Sequence, residues 1–367
     1  MKRLALLLGS LLVVSAAASA KEVVPAPVVV EEAPVQIVEK EVIVYRDKEE
    51  GFRPNGYVDA YYRYYGETEG QDLDGAPYWN ASGNKYSKME MNGAINMTEN
   101  QTLQYRVRSY NELDHNHDIA GTPADKLTQN GNTGNQVRLR YLYNHGLLGD
   151  SKVNLTSRVH YNDDGSSQEL EYQAQFNFAE YLFNNDFVKT TDFTLAPLYR
   201  YTWADENSSK YDNALGVDFT SSYDLPWGFS AAFNLYAKQH FYGEGNEFTV
   251  DNERHDKDFT VDMEAYLYYT ANLYTADKYT VDFKFEGGYD DYSWSKEKQY
   301  KGETSNQHAE YEAYMLPHIL MTYNVTDDFS VYGALGAEYR NWGVHAEKSA
   351  TNWRWQPTAW AGFNVAF

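Results

Sequence analysis

The chain has 367 residues, no cysteine and a formal net charge of -22, with 34 Tyr, 17 Phe and 8 Trp. Without cysteine a small disulfide-built secreted domain is excluded, so stability has to come from a large core or a closed sheet. The acidity excludes a nucleic-acid partner, which would need a basic surface.

Residues 1–20 read as a secretory signal peptide. Lys2 and Arg3 form a basic start, Leu4 to Val14 an apolar stretch broken by Gly9 and Ser10, and Ala18-Ser19-Ala20 a small-residue cleavage site. Removing them leaves 29 cations against 53 carboxylates, a net charge of -24. Residues 21–52 are rich in Val, Glu and Pro. The prolines disfavour regular structure there, and Val35, Val38, Val42 and Tyr45 fall at heptad spacing over too short a span for a coiled coil. This segment reads as a periplasmic linker, extended or short helical.

From 53 to 367 the pattern changes to alternation of apolar and polar residues. Such segments lie at 56–66, 86–97, 101–113, 135–145, 152–162, 168–179, 189–203, 210–223, 229–241, 257–270, 278–294, 307–324, 329–342 and 351–367, about fourteen strands. "TEN" (98–100), "GLLGD" (146–150), "DLPWG" (224–228) and "VTDD" (325–328) are compact turns. They take turns with longer polar connections at 67–85, 114–135 and 243–256. Short and long connections in alternation predict an all-β fold: a transmembrane antiparallel up-and-down β-barrel with short periplasmic turns and long outer loops.

No run after residue 20 approaches the roughly 18–20 apolar residues of a membrane helix, but barrel strands escape that test because only every second residue faces lipid. Phe363, Val365 and Phe367 supply such a lipid face for the last strand, which would close the barrel and leave no sheet edge in the bilayer. Trp203, Tyr292, Trp294, Trp342, Trp353 and Trp355 fall near outer strand ends, and Tyr181, Phe183, Trp227 and Tyr274 near inner ones. Two aromatic girdles at the bilayer interfaces would account for both groups.

If the apolar positions face lipid, the residues between them face the lumen. Arg106 and Arg108 (with Gln104), Arg138 and Arg140, Arg158, and Arg200 then line one wall. Asp262 and Glu264, Asp282 and Glu286 (with Lys284 between), and Glu310 and Glu312 line the facing one. Glu338 beside Arg340, and Arg354, complete the inward charges. Burying so many charges in a dry interior would cost several kcal/mol apiece. A water-filled lumen removes that cost, and the fourth strand of fourteen stands opposite the eleventh, so a transverse field is expected across the pore. A lumen plugged by salt bridges is the competing reading.

No catalytic site, cofactor or metal is expected. "DHNHD" (114–118) places His115 and His117 among carboxylates but reads as a solvated loop tip. "DLDG" and "NDDG" lack the acidic twelfth position of a calcium-binding helix-loop-helix and read as turns. Nucleophile-elbow, phosphate-loop and dinucleotide motifs are missing from the sequence. The acidic pairs could serve acid-base chemistry, but pore lining explains them more simply.

The stretches "MKRLALLLGSLLVV", "KEVVPAP", "VEKEVIVYRD", "RPNGYVDAYYRYYGE", "VRLRYLYNHGLLGDSKVNLTSR", "FEGGYDDY", "YRNWG" and "WRWQPTAWAGFNVAF" run almost the whole length of the chain. Through them the chain resembles the fusobacterial major outer membrane porin (FomA) family. The resemblance implies a general diffusion porin of the bacterial outer membrane, a homotrimer passing ions and small hydrophilic solutes. It also implies a side role in adhesion to other bacteria or host surfaces through the outer loops. It brings no catalytic residues. A surface adhesin or structural anchor with a non-conducting barrel is the alternative.

Overall fold

The computed structural model describes residues 51–69, 85–112, 135–204, 210–297, 310–341 and 353–367. The expected leader, nearly all of the linker, most of the two longest loops, "DHNHD", "DLDG" and Trp342 lie outside these residues.

Sixteen strands are present among the described residues: β1 (Asn55–Tyr65), β2 (Tyr86–Asn96), β3 (Gln101–Glu112), β4 (Asn135–Leu147), β5 (Asn154–Asp163), β6 (Ser167–Asn177), β7 (Lys189–Ala204), β8 (Tyr211–Asp224), β9 (Phe229–Tyr242), β10 (Phe248–Val250), β11 (Glu253–His255), β12 (Lys257–Ala276), β13 (Tyr279–Ser295), β14 (Glu310–Asn324), β15 (Phe329–Asn341) and β16 (Trp353–Ala366). Fourteen of them form one closed barrel, each paired antiparallel with its neighbours in the chain, and β16 returns to β1. No helix among the described residues is long and apolar enough to cross a membrane. The spanning elements are strands, whose backbone groups are satisfied only because the sheet closes.

Closure runs to the last residue. Ala366 pairs with Tyr57, and Gly56 and Phe367 exchange backbone hydrogen bonds at 2.9 and 3.0 Å. Phe363 packs edge-on against Phe329 on the apolar outer face. Large apolar side chains stand exposed around the outside, among them Leu139, Leu215, Leu267, Met321 and Leu335. An exposed apolar belt on a closed sheet is what hydrocarbon requires and water would penalise.

The strand ends carry aromatics on both rims. Outside, Tyr339 stacks on Trp353 and packs against Trp355, and Tyr201 stacks on Trp203. Inside, Tyr181, Phe183 and Tyr274 are exposed, and Trp227 is 83% exposed in a turn where it adopts a left-handed φ of 61°. The side chain of Tyr292 lies outside the described residues.

Three local features differ from the sequence expectation. β12 extends to Ala276, because "ANLYTA" continues the strand until the two-residue turn at Asp277, whose φ is 39°. A small hairpin, β10–β11, occupies the connection 243–256, turned by Asp251 and Asn252 at φ 51° and 67°. Connection lengths do not segregate fully. Residues 164–166 make a tight turn on the outer side, whereas 178–188 form a longer inner connection with a 3-10 turn at Ala179–Tyr181. The tight turn is held by Asp164, whose carboxylate accepts from the Ser166 and Ser167 backbone N–H groups at 2.9 and 2.8 Å, with Gly165 at φ 86°. "NDDG" is thus a turn, built by side-chain capping.

Candidate functional site: the charged interior

The ladder fixes which strands face each other. In the ring, β4 and β13 are seven strands apart in either direction, and so are β3 and β12. Arg138 and Arg140 therefore sit diametrically across from the strand bearing Asp282 and Glu286. Arg106 and Arg108 sit across from the strand bearing Asp262 and Glu264. On β4 the exposed Leu139 separates Arg138 from Arg140, so the two arginines share the opposite, interior face.

Register then assembles the basic wall. Arg106 pairs with Arg138 and Gln104 with Arg140, while Glu90 on β2 pairs with Arg108. His160 on β5 stands beside Arg140, and Glu171 on β6 beside His160 and Arg200. Three of the expected arginines are neutralised here. Arg108 donates to Glu90 at 2.6 Å, with Lys88 3.4 Å from the same carboxylate. Arg158 and Arg200 both meet Glu171 at 2.7 Å, and Arg200 reaches Glu169 at 3.3 Å. The alternation had given this wall only cations. Glu90, Glu169 and Glu171 were legible as polar positions in "KMEMN" and "ELEYQ", but only the register shows them between arginines.

Arg106, Arg138 and Arg140 are different. They make no ion pair with any described residue, and Arg140 Nε is buried without a hydrogen-bond partner.

The facing wall holds its charges by another means. Glu264 accepts from the Tyr236 hydroxyl at 3.0 Å and from Asn234 at 3.1 Å. Glu286 accepts from the Tyr314 hydroxyl, and Asp282 from Asn272 at 2.9 Å. These donors are neutral, so they orient the carboxylates without cancelling their charge. Asp262 lies opposite Tyr236 on the same face, and Lys284 between Asp282 and Glu286 opposes His318. Glu310 and Glu312 take their places in the β13–β14 ladder opposite Ser293 and Asp290, and their side chains lie outside the described residues. Glu338 and Arg340 form a close pair at 2.7 Å, with the Arg340 guanidinium over the Tyr314 ring, and Arg354 opposes Arg340.

Three titratable side chains sit close on one wall: His160, Glu169 and Glu171 place ligand atoms within 4.8 Å of one another. Arg158 and Arg200 already occupy those carboxylates, so the donor set fits a salt-bridge network better than a metal ion.

Fold and interior together define a class: a transmembrane β-barrel of fourteen strands, apolar outside and charged within. No protein-family model matches the chain, and no curated protein sequence does. Among solved structures it is similar to the outer membrane channel DcaP of Acinetobacter baumannii, at 10% identity over 86% of this chain and 96% of that one, with a TM-score of 0.36. It is also similar to an anion-selective porin from Comamonas acidovorans, at 10% identity over 86% and 99% of the two chains and a TM-score of 0.30. A third is OmpT of Vibrio cholerae in its trimer form, at 9% identity over 86% and 100%, TM-score 0.32. At this level each is a likeness of strand layout, and this chain's own side chains have to carry the function.

Proposed function

We propose that the protein is a general diffusion porin, a water-filled passage for ions and small hydrophilic solutes across the bacterial outer membrane, and not an enzyme. The observation that supports this most is the treatment of charge on opposite walls. Arg106, Arg138 and Arg140 on one side lack carboxylate partners among the described residues, while Glu264 and Glu286 on the other are held by neutral hydroxyl and amide groups. A plug of salt bridges would pair these charges, and a dry interior would not tolerate them. Water in the lumen solvates both rows and lets them act on passing ions.

The test is single-channel recording of detergent-purified protein in a planar bilayer. Stable conductance steps are expected. A silent bilayer, with protein shown to be folded by its resistance to unfolding in detergent, would overturn the reading and favour a closed barrel that displays loops.

The sequence pattern motivates two finer parts of the proposal, export by residues 1–20 and a tether over 21–52; the resemblance to the fusobacterial major outer membrane porin family motivates two more, assembly as a homotrimer and adhesion through outer loops. Light scattering in detergent measures the copy number. Deleting 243–256, which carries the β10–β11 hairpin, should leave conductance intact while removing adhesion to partner cells. Retained adhesion would exclude that loop.

A further inference from the structure

The three arginines that form no ion pair among the described residues share one place in the fold. Arg106 and Arg138 are direct cross-strand neighbours, and Arg140 follows Arg138 by two residues on the same face, with Gln104 opposite it. The span from Arg138 to Arg140 is about 7 Å along the strand. The register therefore sets the three side chains side by side on one face. Like charges placed opposite one another destabilise a sheet, and the described carboxylates nearest them, Glu90 and Glu171, are already committed. Glu90 is held by Lys88 and Arg108, and Glu171 by Arg158 and Arg200. A neighbouring wall with three arginines neutralised therefore surrounds three that are not. Guanidinium groups in such a cluster present parallel N–H donors, and their fork matches the two oxygens of a carboxylate or phosphate.

We infer that Arg106, Arg138 and Arg140, with Gln104 at their edge, form a binding site for the oxyanion group of small organic solutes, a carboxylate or a phosphate, on the wall of the barrel interior. The site rests on the porin reading only for access from both sides. Binding itself requires no current. The carboxylates of the far wall keep the rest of the passage unattractive to anions, so a bound oxyanion sits on one side rather than filling the channel.

Calorimetric titration of the detergent-solubilised protein with inorganic phosphate, and separately with succinate, tests binding. Current recordings with either anion added to one side test occupancy in the channel. Saturable heat and saturable block are expected for at least one of them, and the tighter of the two distinguishes phosphate from carboxylate as the preferred group. The double variant R138Q/R140Q should weaken binding roughly tenfold or more. R254Q, which removes an equal type of charge from the outer hairpin, should leave it unchanged. R138K/R140K keeps both charges but loses the fork, and should bind several-fold more weakly than the native chain. No saturable binding of either anion to a conducting channel overturns the site and leaves the porin reading standing. Binding that survives R138Q/R140Q, or is fully kept in R138K/R140K, also overturns it. A silent bilayer with binding retained supports the site and overturns the porin.

Discussion

Neutralising Arg138 and Arg140 together, as Arg138→Gln with Arg140→Gln, should turn the channel toward cations by an amount the geometry sets. Fourteen strands about 4.8 Å apart and tilted about 40° close into a backbone ring of roughly 14 Å radius. An arginine reaching half-way in leaves its charge about 7 Å from the axis, where a unit charge acting through water is worth about 0.6 kcal/mol, close to RT. Screening at 0.1 M salt, with a Debye length of about 10 Å, halves this to ~0.3 kcal/mol. Two arginines then hold anions and repel cations by about one RT each, and removing both shifts the permeability ratio toward cations by roughly sevenfold. At 1 M salt the Debye length of about 3 Å cuts the shift below about twofold. The assay is the reversal potential across a planar bilayer in a potassium chloride gradient, at low and at high ionic strength. Glu264→Gln with Glu286→Gln should move it the other way by a similar amount. Unchanged potentials, or a shift that ignores salt, would refute the interior placement of these rows.

Glu171→Gln strips both Arg158 and Arg200 of their shared carboxylate, which is 1% exposed. Breaking so buried a network should cost about 3–5 kcal/mol; denaturant unfolding in micelles measures it, and a loss below about 1 kcal/mol would mean that water solvates the freed arginines. Leu335 stands at the centre of β15 with 69% of its surface exposed, and Leu335→Arg should destabilise the barrel in lipid vesicles by about 2–4 kcal/mol. A neutral result would place that face away from the hydrocarbon. In the outer turn, partial burial raises the Asp164 carboxyl, but hydrogen bonds from Ser166 and Ser167 outweigh it and hold it below the usual carboxylate range. Its contribution is therefore complete above roughly pH 4 and is lost as the pH falls through the lowered folded value. Amide exchange at Ser166 and Ser167 should be faster in Asp164→Asn at neutral pH, and equally fast in both proteins at about pH 2; equal rates at neutral pH would refute the cap.

The barrel was legible because alternation with period two writes each strand's outer face directly into the chain, and "FNVAF" at the end needed no partner to be read. Every expected spanning segment corresponds to a barrel strand. β10–β11 was hidden because three-residue strands carry too little alternation to register, although Asp251-Asn252, two residues tolerant of left-handed backbone, marked the turn. The end of β12 was misplaced because "ANLYTA" mixes small and polar residues where the strand leaves the lipid. Loop length was an imperfect guide to side, since Asp164 lets Gly165 turn an outer connection in three residues.

What the sequence could not carry was which interior charges survive pairing. Glu171 lies 13 residues from Arg158 and 29 from Arg200, and only the ladder puts it between them. The same holds for the facing wall, where the hydroxyl that steadies Glu264 comes from Tyr236, 28 residues earlier. The two kinds of partner have opposite electrical consequences. An arginine beside a carboxylate removes both charges from the field seen at the axis, whereas a tyrosine beside a carboxylate fixes its position and leaves the charge whole. A row of acids held by tyrosines and amides, opposite arginines that pair with no acid among the described residues, is therefore an arrangement that uses its hydrogen bonds for orientation and keeps its field. Such a field has a use only where mobile charge passes through it.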